Sequence, residues 1–299
     1  MNPVKTALVV EGGGLRGTFP AGVLRVLLAR FGPDAFDGIF TVSSGVFAST
    51  FFIAGQGAEM EAIWRDRVCG HQLVDHRNWL TGKPVLRLDY LIDLFKGAAR
   101  LDLAQVMNSR PYLEYVLTDY GTHQPVHVDA KSSDIFDLMR ASSALPRIYP
   151  LPVSIGGRNF YDGGQSDPIP VQRALQFGAT HIVVVRTRPA GYVKTPALPW
   201  LATTPLQQRY NESLRLIENS PAGQSIVSIN PTTMFVGRLT RNQRRIAAAI
   251  DHGKDVANQV IDAHPAFFEQ AIGRRESGSP QAAPVSPSGE QVVRTTPTL

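Results

Sequence analysis

The chain has 299 residues, 43% of them hydrophobic and 18% charged, which excludes an intrinsically disordered polymer. No stretch reaches the ~18 uninterrupted apolar residues of a spanning helix, and the longest greasy run, Val46 to Ala54, is interrupted by Ser49 and Thr50. A net charge of +5, without basic–aromatic interleaving, excludes nucleic acid as the expected partner and leaves a mild preference for anionic surfaces.

In chain order, the opening residues superficially look like a signal peptide, but a glycine-rich turn stands where a cleavage site would be. Lys5 to Val10 (KTALVV) is instead predicted as a buried strand. Thr18 to Arg30 carries Val23, Leu24, Leu27 and Leu28 at helical spacing. A second strand, Gly38 to Val42, leads through Ser-Ser-Gly into a helix over Val46 to Ala54. Two consecutive strand–turn–helix units predict a mainly parallel sheet covered on both faces, a three-layer α/β/α architecture.

Residues 70 to 112 are less regular, with Trp79, Leu80, Leu86, Leu88, Leu91 and Phe95 set among basic residues. The single Cys69 cannot form an internal disulfide, fits a reducing, cytoplasmic compartment and is expected to pack. Ile135 to Ser143 is predicted helical, followed by a hairpin turning at Gly156–Gly157. Ile169 to Phe177 is a helix and His181 to Arg186 a buried strand. Helical patterns at about 206 to 218 and 240 to 272 flank a strand near Ser225 to Ile229. Arg238, Arg241, Arg244 and Arg245 cluster at the start of the last helix, where the dipole disfavours cations. They are expected to form a solvated face paired with nearby carboxylates, with an acidic partner or headgroup as the sharper reading. No internal repeat is present. Residues 1–275 are expected to form one domain, with 276–299, rich in Ser, Pro, Gly and Thr, a disordered tail.

Three short segments carry chemistry. The turn Glu11-Gly-Gly-Gly-Leu-Arg-Gly17 follows a strand, opens a helix and contains G-x-G-x-x-G. Such a loop brings backbone amides close to an anion and suits either a dinucleotide phosphate or an oxyanion hole. The dinucleotide reading requires an acid at the end of the second strand, where Thr41-Val-Ser-Ser-Gly45 stands instead. That segment approximates the nucleophile elbow G-x-S-x-G, with Gly45 matching and Thr41 departing. Taken alone, Ser43 and Ser44 also read as a helix cap. Phe160-Tyr-Asp162-Gly163-Gly164 ends a short strand and alone reads equally well as a turn.

In order and spacing these blocks resemble the patatin-like phospholipase family: a GGGxRG loop, then an S-x-G elbow, then D-G-G/A before N-P-I-P or similar. The last block here is Asp162-Gly-Gly-Gln-Ser-Asp-Pro168-Ile-Pro170, and Arg140-Ala-Ser-Ser-Ala-Leu-Pro146 is similar to the stretch that precedes it in the family. The resemblance spans roughly residues 5 to 190. It implies a Ser–Asp dyad without histidine, with Ser43 as nucleophile, Asp162 as general base and the Gly12, Gly13 and Gly14 amides as oxyanion hole. Leu15, Arg16, Gly17, Gly45, Gly163 and Gly164 support the motif, with Arg16 either bracing the glycine loop, the favoured reading, or approaching a phosphate headgroup. Neither metal nor cofactor is implied.

A Ser-His-Asp triad on an α/β-hydrolase requires its elbow mid-chain, and Ser43 lies too near the N-terminus. The implied substrates are acyl esters of glycerolipids, phospholipids or lysophospholipids, with peripheral contact to an anionic membrane surface. The apolar residues of 70 to 112 are candidates for an acyl-chain wall or lid, core packing being the plainer reading. Thr41 leaves open a protein on this fold that binds lipid or a partner without turnover. The oligomeric state is left open.

Overall fold

The computed structural model describes residues 4–196, 198 and 202–272, so the tail predicted over 276–299 lies outside the described residues. The elements, in order, are β1 (Thr6–Val10), α1 (Thr18–Phe31), β2 (Gly38–Val42), α2 (Ser44–Ile53), α3 (Gly57–Ala62), α4 (Leu88–Lys96) and α5 (Leu103–Asn108). They continue with β3 (Tyr112–Asp119), β4 (Pro125–Asp129), α6 (Ile135–Ser143), β5 (Val153–Ile155), β6 (Arg158–Asp162) and α7 (Val171–Gln176). The last are β7 (His181–Val185), α8 (Pro205–Glu218), β8 (Ser225–Ile229), α9 (Gln243–Ala263) and α10 (Pro265–Ala271).

Eight strands form one sheet in the order β5-β6-β3-β2-β1-β7-β8, with β4 paired to β3 off that path. The pairs β3–β2, β2–β1, β1–β7 and β7–β8 are parallel. β4, β5 and β6 add an antiparallel extension. Alternate residues of β1 enter opposite cores, Leu8 and Val10 on one face and Ala7 and Val9 on the other. The first core packs residues of α1, α2, α4, α6 and α9, and the second those of α7 and α8. This is the three-layer α/β/α arrangement with a mainly parallel sheet. Strands buried on both faces read as continuous apolar runs, which is why β1, β2 and β7 carry so few polar residues.

The sequence reading did not name β3 or β4, yet β3 sets the register of the site. Val116 pairs with Val42 of β2, and the next residue, Leu117, pairs with Asp162 of β6. The overlapping pairings with β4 place β2 and β6 on the same edge of β3, end to end. The residue after Val42 therefore lies beside Asp162. Long-range strand pairing joins positions 119 residues apart in sequence.

Candidate active site

Ser43 occupies the turn between β2 and α2 with φ 54° and ψ −131°. It is one of three non-glycine residues with positive φ among the described residues. Such a conformation costs on the order of 1–3 kcal/mol and persists only where its surroundings over-determine it. Here Ser43 N donates to Ser142 Oγ at 2.9 Å, and Ser142 Oγ donates to the Val116 carbonyl at 2.8 Å. The carbonyl of Ser43 accepts from Val46 N at 3.0 Å. Ser142 belongs to the segment before the Asp block, so that segment braces the elbow. The sequence reading singled out that segment but not Ser142 within it.

Ser43 Oγ donates to Asp162 Oδ2 at 2.7 Å. The other carboxylate oxygen accepts from Gly164 N at 2.8 Å. Asp162 N donates to the Ala144 carbonyl at 3.0 Å, and its carbonyl accepts from Thr118 Oγ1 at 2.9 Å. With Asp162 only 4% exposed, burial pushes its carboxyl up to about 6. The hydrogen bonds from Ser43 and Gly164 and the charge of Arg238 oppose that rise without cancelling it. A side chain on Gly163 would sit 2.0 Å from the Val116 carbonyl, so only glycine lets this loop reach β3.

The glycine loop packs against the elbow: a Cβ on Gly12 would meet Ser43 Cβ at 2.7 Å. Of its three amides, Gly13 N–H is committed to Ser44 Oγ at 3.0 Å. The Gly12 and Gly14 amides have no hydrogen-bond partner among the described residues. Gly14 adopts φ 59°, and the next amide, Leu15 N, donates to the Arg238 carbonyl at 3.0 Å. Leu15 is buried, Gly17 lies against Ser44 and Trp64, and Arg16 is 6% exposed with Nε unpartnered. Glu11 accepts from Thr187 N and from Tyr210 Oη, fixing the loop to the chain beyond β7.

The Thr41 departure has a local answer. A Cβ on Gly45 would lie 2.7 Å from Thr41 Oγ1, so the absent side chain of Gly45 houses the side chain of Thr41. The Thr41 hydroxyl is buried without a partner among the described residues.

Ser43 and Asp162 open onto a cleft of about 880 Å³, counted out to open solvent at its mouth. Leu73, Leu86, Leu88, Leu145 and Ile148 supply much of its apolar lining. From residues 70 to 112, Leu73, Leu86 and Leu88 thus line the cleft, whereas Leu91 and Phe95 pack in the core. Trp79 and Leu80 are exposed, at 69% and 90%. No histidine lines the cleft. The described residues contain no cluster of His, Cys, Asp and Glu that could hold a metal, and no described helix is long and apolar enough to cross a membrane.

The expectation for the arginine cluster is corrected. Arg244 and Arg245 lie in the first turn of α9, but Arg238 belongs to the preceding loop and lines the cleft. Arg241 bonds to His71, Arg245 donates to the Phe235 carbonyl, and none of the four makes an ion pair with a carboxylate among the described residues. The carboxylates of that region are taken by other bases, Asp251 by Arg65 and Glu61 by Lys254. Arg188, Lys194 and Tyr210 also line the cleft and were missed, because they enter from a Pro/Gly loop and from a distant helix.

Residues 8–175 match the family described as Patatin-like phospholipase, and residues 203–269 match one described as Domain of unknown function (DUF6363). The chain is 30% identical over 248 residues to the Uncharacterized protein YjjU of Escherichia coli, covering 77% of this chain and 69% of that protein. Among solved structures it is similar to VipD from Legionella pneumophila, with TM-score 0.51, 14% identity and coverage of 87% of this chain and 67% of that one. It is also similar to the human GIVD cytosolic phospholipase A2, with TM-score 0.52 and 10% identity, covering 91% of this chain and 60% of that one. These structures share the fold, and with the match over residues 8–175 the chain belongs to the patatin-like phospholipase family.

Proposed function

We propose that this chain hydrolyses carboxylic esters of lipid acyl chains, taking glycerolipids or lysophospholipids presented at an anionic lipid surface, with Ser43 as nucleophile and Asp162 as sole general base. The observation that carries the reading is the 2.7 Å hydrogen bond from Ser43 Oγ to Asp162 Oδ2 at a left-handed elbow facing the cleft. A carboxyl near 6 is a better match to neutral pH than an ordinary aspartate at about 3.9. In the first half-reaction Ser43 Oγ attacks the ester carbonyl as its proton passes to Asp162 Oδ2. The tetrahedral oxyanion is stabilised by the free Gly12 and Gly14 amides, each such donor contributing about 3–4 kcal/mol in other acyl transferases. Gly13 acts indirectly, through its bond to Ser44. Collapse expels the alcohol, which takes the proton from Asp162. Water then attacks the acyl-enzyme and gives its proton to Asp162, and collapse of the second tetrahedral intermediate releases the fatty acid as that proton returns to Ser43 Oγ.

A fluorophosphonate probe should label the wild type at Ser43 and leave Ser43→Ala unlabelled. Asp162→Asn should keep its circular dichroism spectrum while kcat/KM on a p-nitrophenyl ester falls at least about a thousandfold, by analogy with other serine hydrolases. Unchanged turnover in either variant, or a wild type that binds liposomes but neither reacts nor hydrolyses, would overturn the reading.

A further inference from the structure

The polar end of the cleft holds more positive charge than the chain neutralises. Arg16, Arg188, Lys194 and Arg238 all line it. None of the four side chains has an ion-pair or hydrogen-bond partner among the described residues. Several cations outside the cleft are paired: Arg65 with Glu61, Arg110 with Asp37, Arg140 with Asp89, and Arg173 with Glu114. Arg16 is only 6% exposed and its Nε meets no acceptor, and a buried charge is unfavourable unless something compensates it. Burial, with the charges of Arg188 and Arg238, pulls Arg16 down to about 10. Lys194 falls to about 8, by burial and the charges of Arg238, Arg16 and Arg188 against the opposing pull of Glu11.

The two carboxylates that line the cleft are already engaged. Glu11 accepts from Thr187 N and Tyr210 Oη, and Asp162 accepts from Ser43 and Gly164. A ligand carrying its own ammonium would find no free carboxylate there. The sheet order groups three of the cations. Arg16 follows β1, and Arg188 and Lys194 follow β7, so these cations lie on one side of Ser43 along the sheet. Leu145 and Ile148, which enter after α6, belong to the apolar lining of the same cleft. An ester with its acyl chain along the apolar wall and its carbonyl at Ser43 projects its alcohol portion toward the cations.

We propose that Arg16, Arg188, Lys194 and Arg238 form an anion subsite for a phosphate on the alcohol side of the ester, selecting phosphomonoester lipids over zwitterionic and neutral ones. This inference rests on the proposed hydrolase. Arg188, Lys194 and Arg238 all lie outside residues 8–175, so the subsite is added to the matched family segment rather than contained in it.

The full chain with Ser43→Ala, which separates binding from turnover, should be titrated calorimetrically below micelle formation with three ligands of one acyl chain: lysophosphatidate, lysophosphatidylcholine and monoacylglycerol. Lysophosphatidate should bind at least about tenfold tighter than the other two. Adding Lys194→Gln or Arg188→Gln should shrink that preference by about tenfold each, the usual effect of removing one charged partner. Inorganic phosphate should compete with lysophosphatidate. If it binds without affecting lysophosphatidate, or if the three lipids bind alike in all variants, the subsite is overturned. A wild type that hydrolyses short neutral esters while the lipid preference is absent would sink this inference and leave the hydrolase reading standing. Preference without any Ser43-dependent hydrolysis would do the reverse.

Discussion

At Asp162, burial raises the carboxyl from its ordinary 3.8 to about 6, so the folded state holds the proton more tightly than the unfolded chain does. Folding therefore gains from this group at low pH and loses that gain as pH rises from about 4 to about 6. Two pKa units correspond to ~3 kcal/mol at neutral pH, an order-of-magnitude figure. Asp162→Asn, which carries no charge to desolvate, should accordingly be more stable than wild type toward urea at pH 8 by up to that amount. The difference should vanish at pH 4, and an equal difference at both pH values would mean that burial is not its source. On the proposed mechanism the same proton sets activity, and log kcat/KM on a neutral ester should rise through pH ~6 and then level. Ser43 and Asp162 were legible because glycines bracket them, and those glycines answer to close contacts with Thr41 Oγ1 and with the Val116 carbonyl. Arg188 and Lys194 were not legible, since a Pro/Gly loop has no period and only the end of β7 brings it to the cleft.

Between the motif residues and the fold stand elements whose placement the periodicity captured unevenly. Gly38–Val42, Ile135–Ser143 and Ser225–Ile229 follow the expected bounds, each being punctuated by turn residues or by an Asp cap such as Asp134. β3 escaped because Glu114 interrupts its apolar run, and that buried glutamate is compensated by its ion pair with Arg173, 59 positions away, and by a hydrogen bond from Tyr112 Oη. The π-helical turn Ile63–Arg67 was equally invisible. It extends α3 and points Trp64, 3% exposed, between the main cleft and a second apolar crevice, too tight to hold a water, that Phe51, Met60, Leu91 and Phe95 help to line. Trp64 and Phe47 line both spaces and so partition them. Trp64→Leu should join them and move the preferred acyl length of p-nitrophenyl esters up by a few carbons, each buried methylene contributing about 0.8 kcal/mol. A folded variant with the wild-type chain-length profile would show that the partition does not limit the acyl chain.

Across the whole molecule, α1, from the segment matched to the phospholipase family, crosses α9, from the segment matched to the second family, backbone against backbone. A Cβ on Gly22 would fall 2.1 Å from the Ile250 carbonyl, and one on Gly253 would fall 2.3 Å from that of Phe19. No rotamer relieves a clash with a carbonyl, so a side chain at either glycine must push the helices apart. The loop before α9 carries Arg238, whose carbonyl holds Leu15 N of the glycine loop. Ser43 and Asp162, by contrast, hang from β2, β3 and β6. Overpacking by Gly253→Val should cost about 3 kcal/mol, at the upper end of such changes, and lower Tm by roughly 5–10 °C in a chain of this size. Asn258→Ala, at an exposed position on the same helix, should leave Tm within about 1–2 °C, as surface changes usually do. At 20 °C, below either transition, Gly253→Val should still be labelled at Ser43 by a fluorophosphonate while its preference for lysophosphatidate weakens. Equal loss of both would mean that the seam supports the dyad as directly as it supports the cationic end of the cleft.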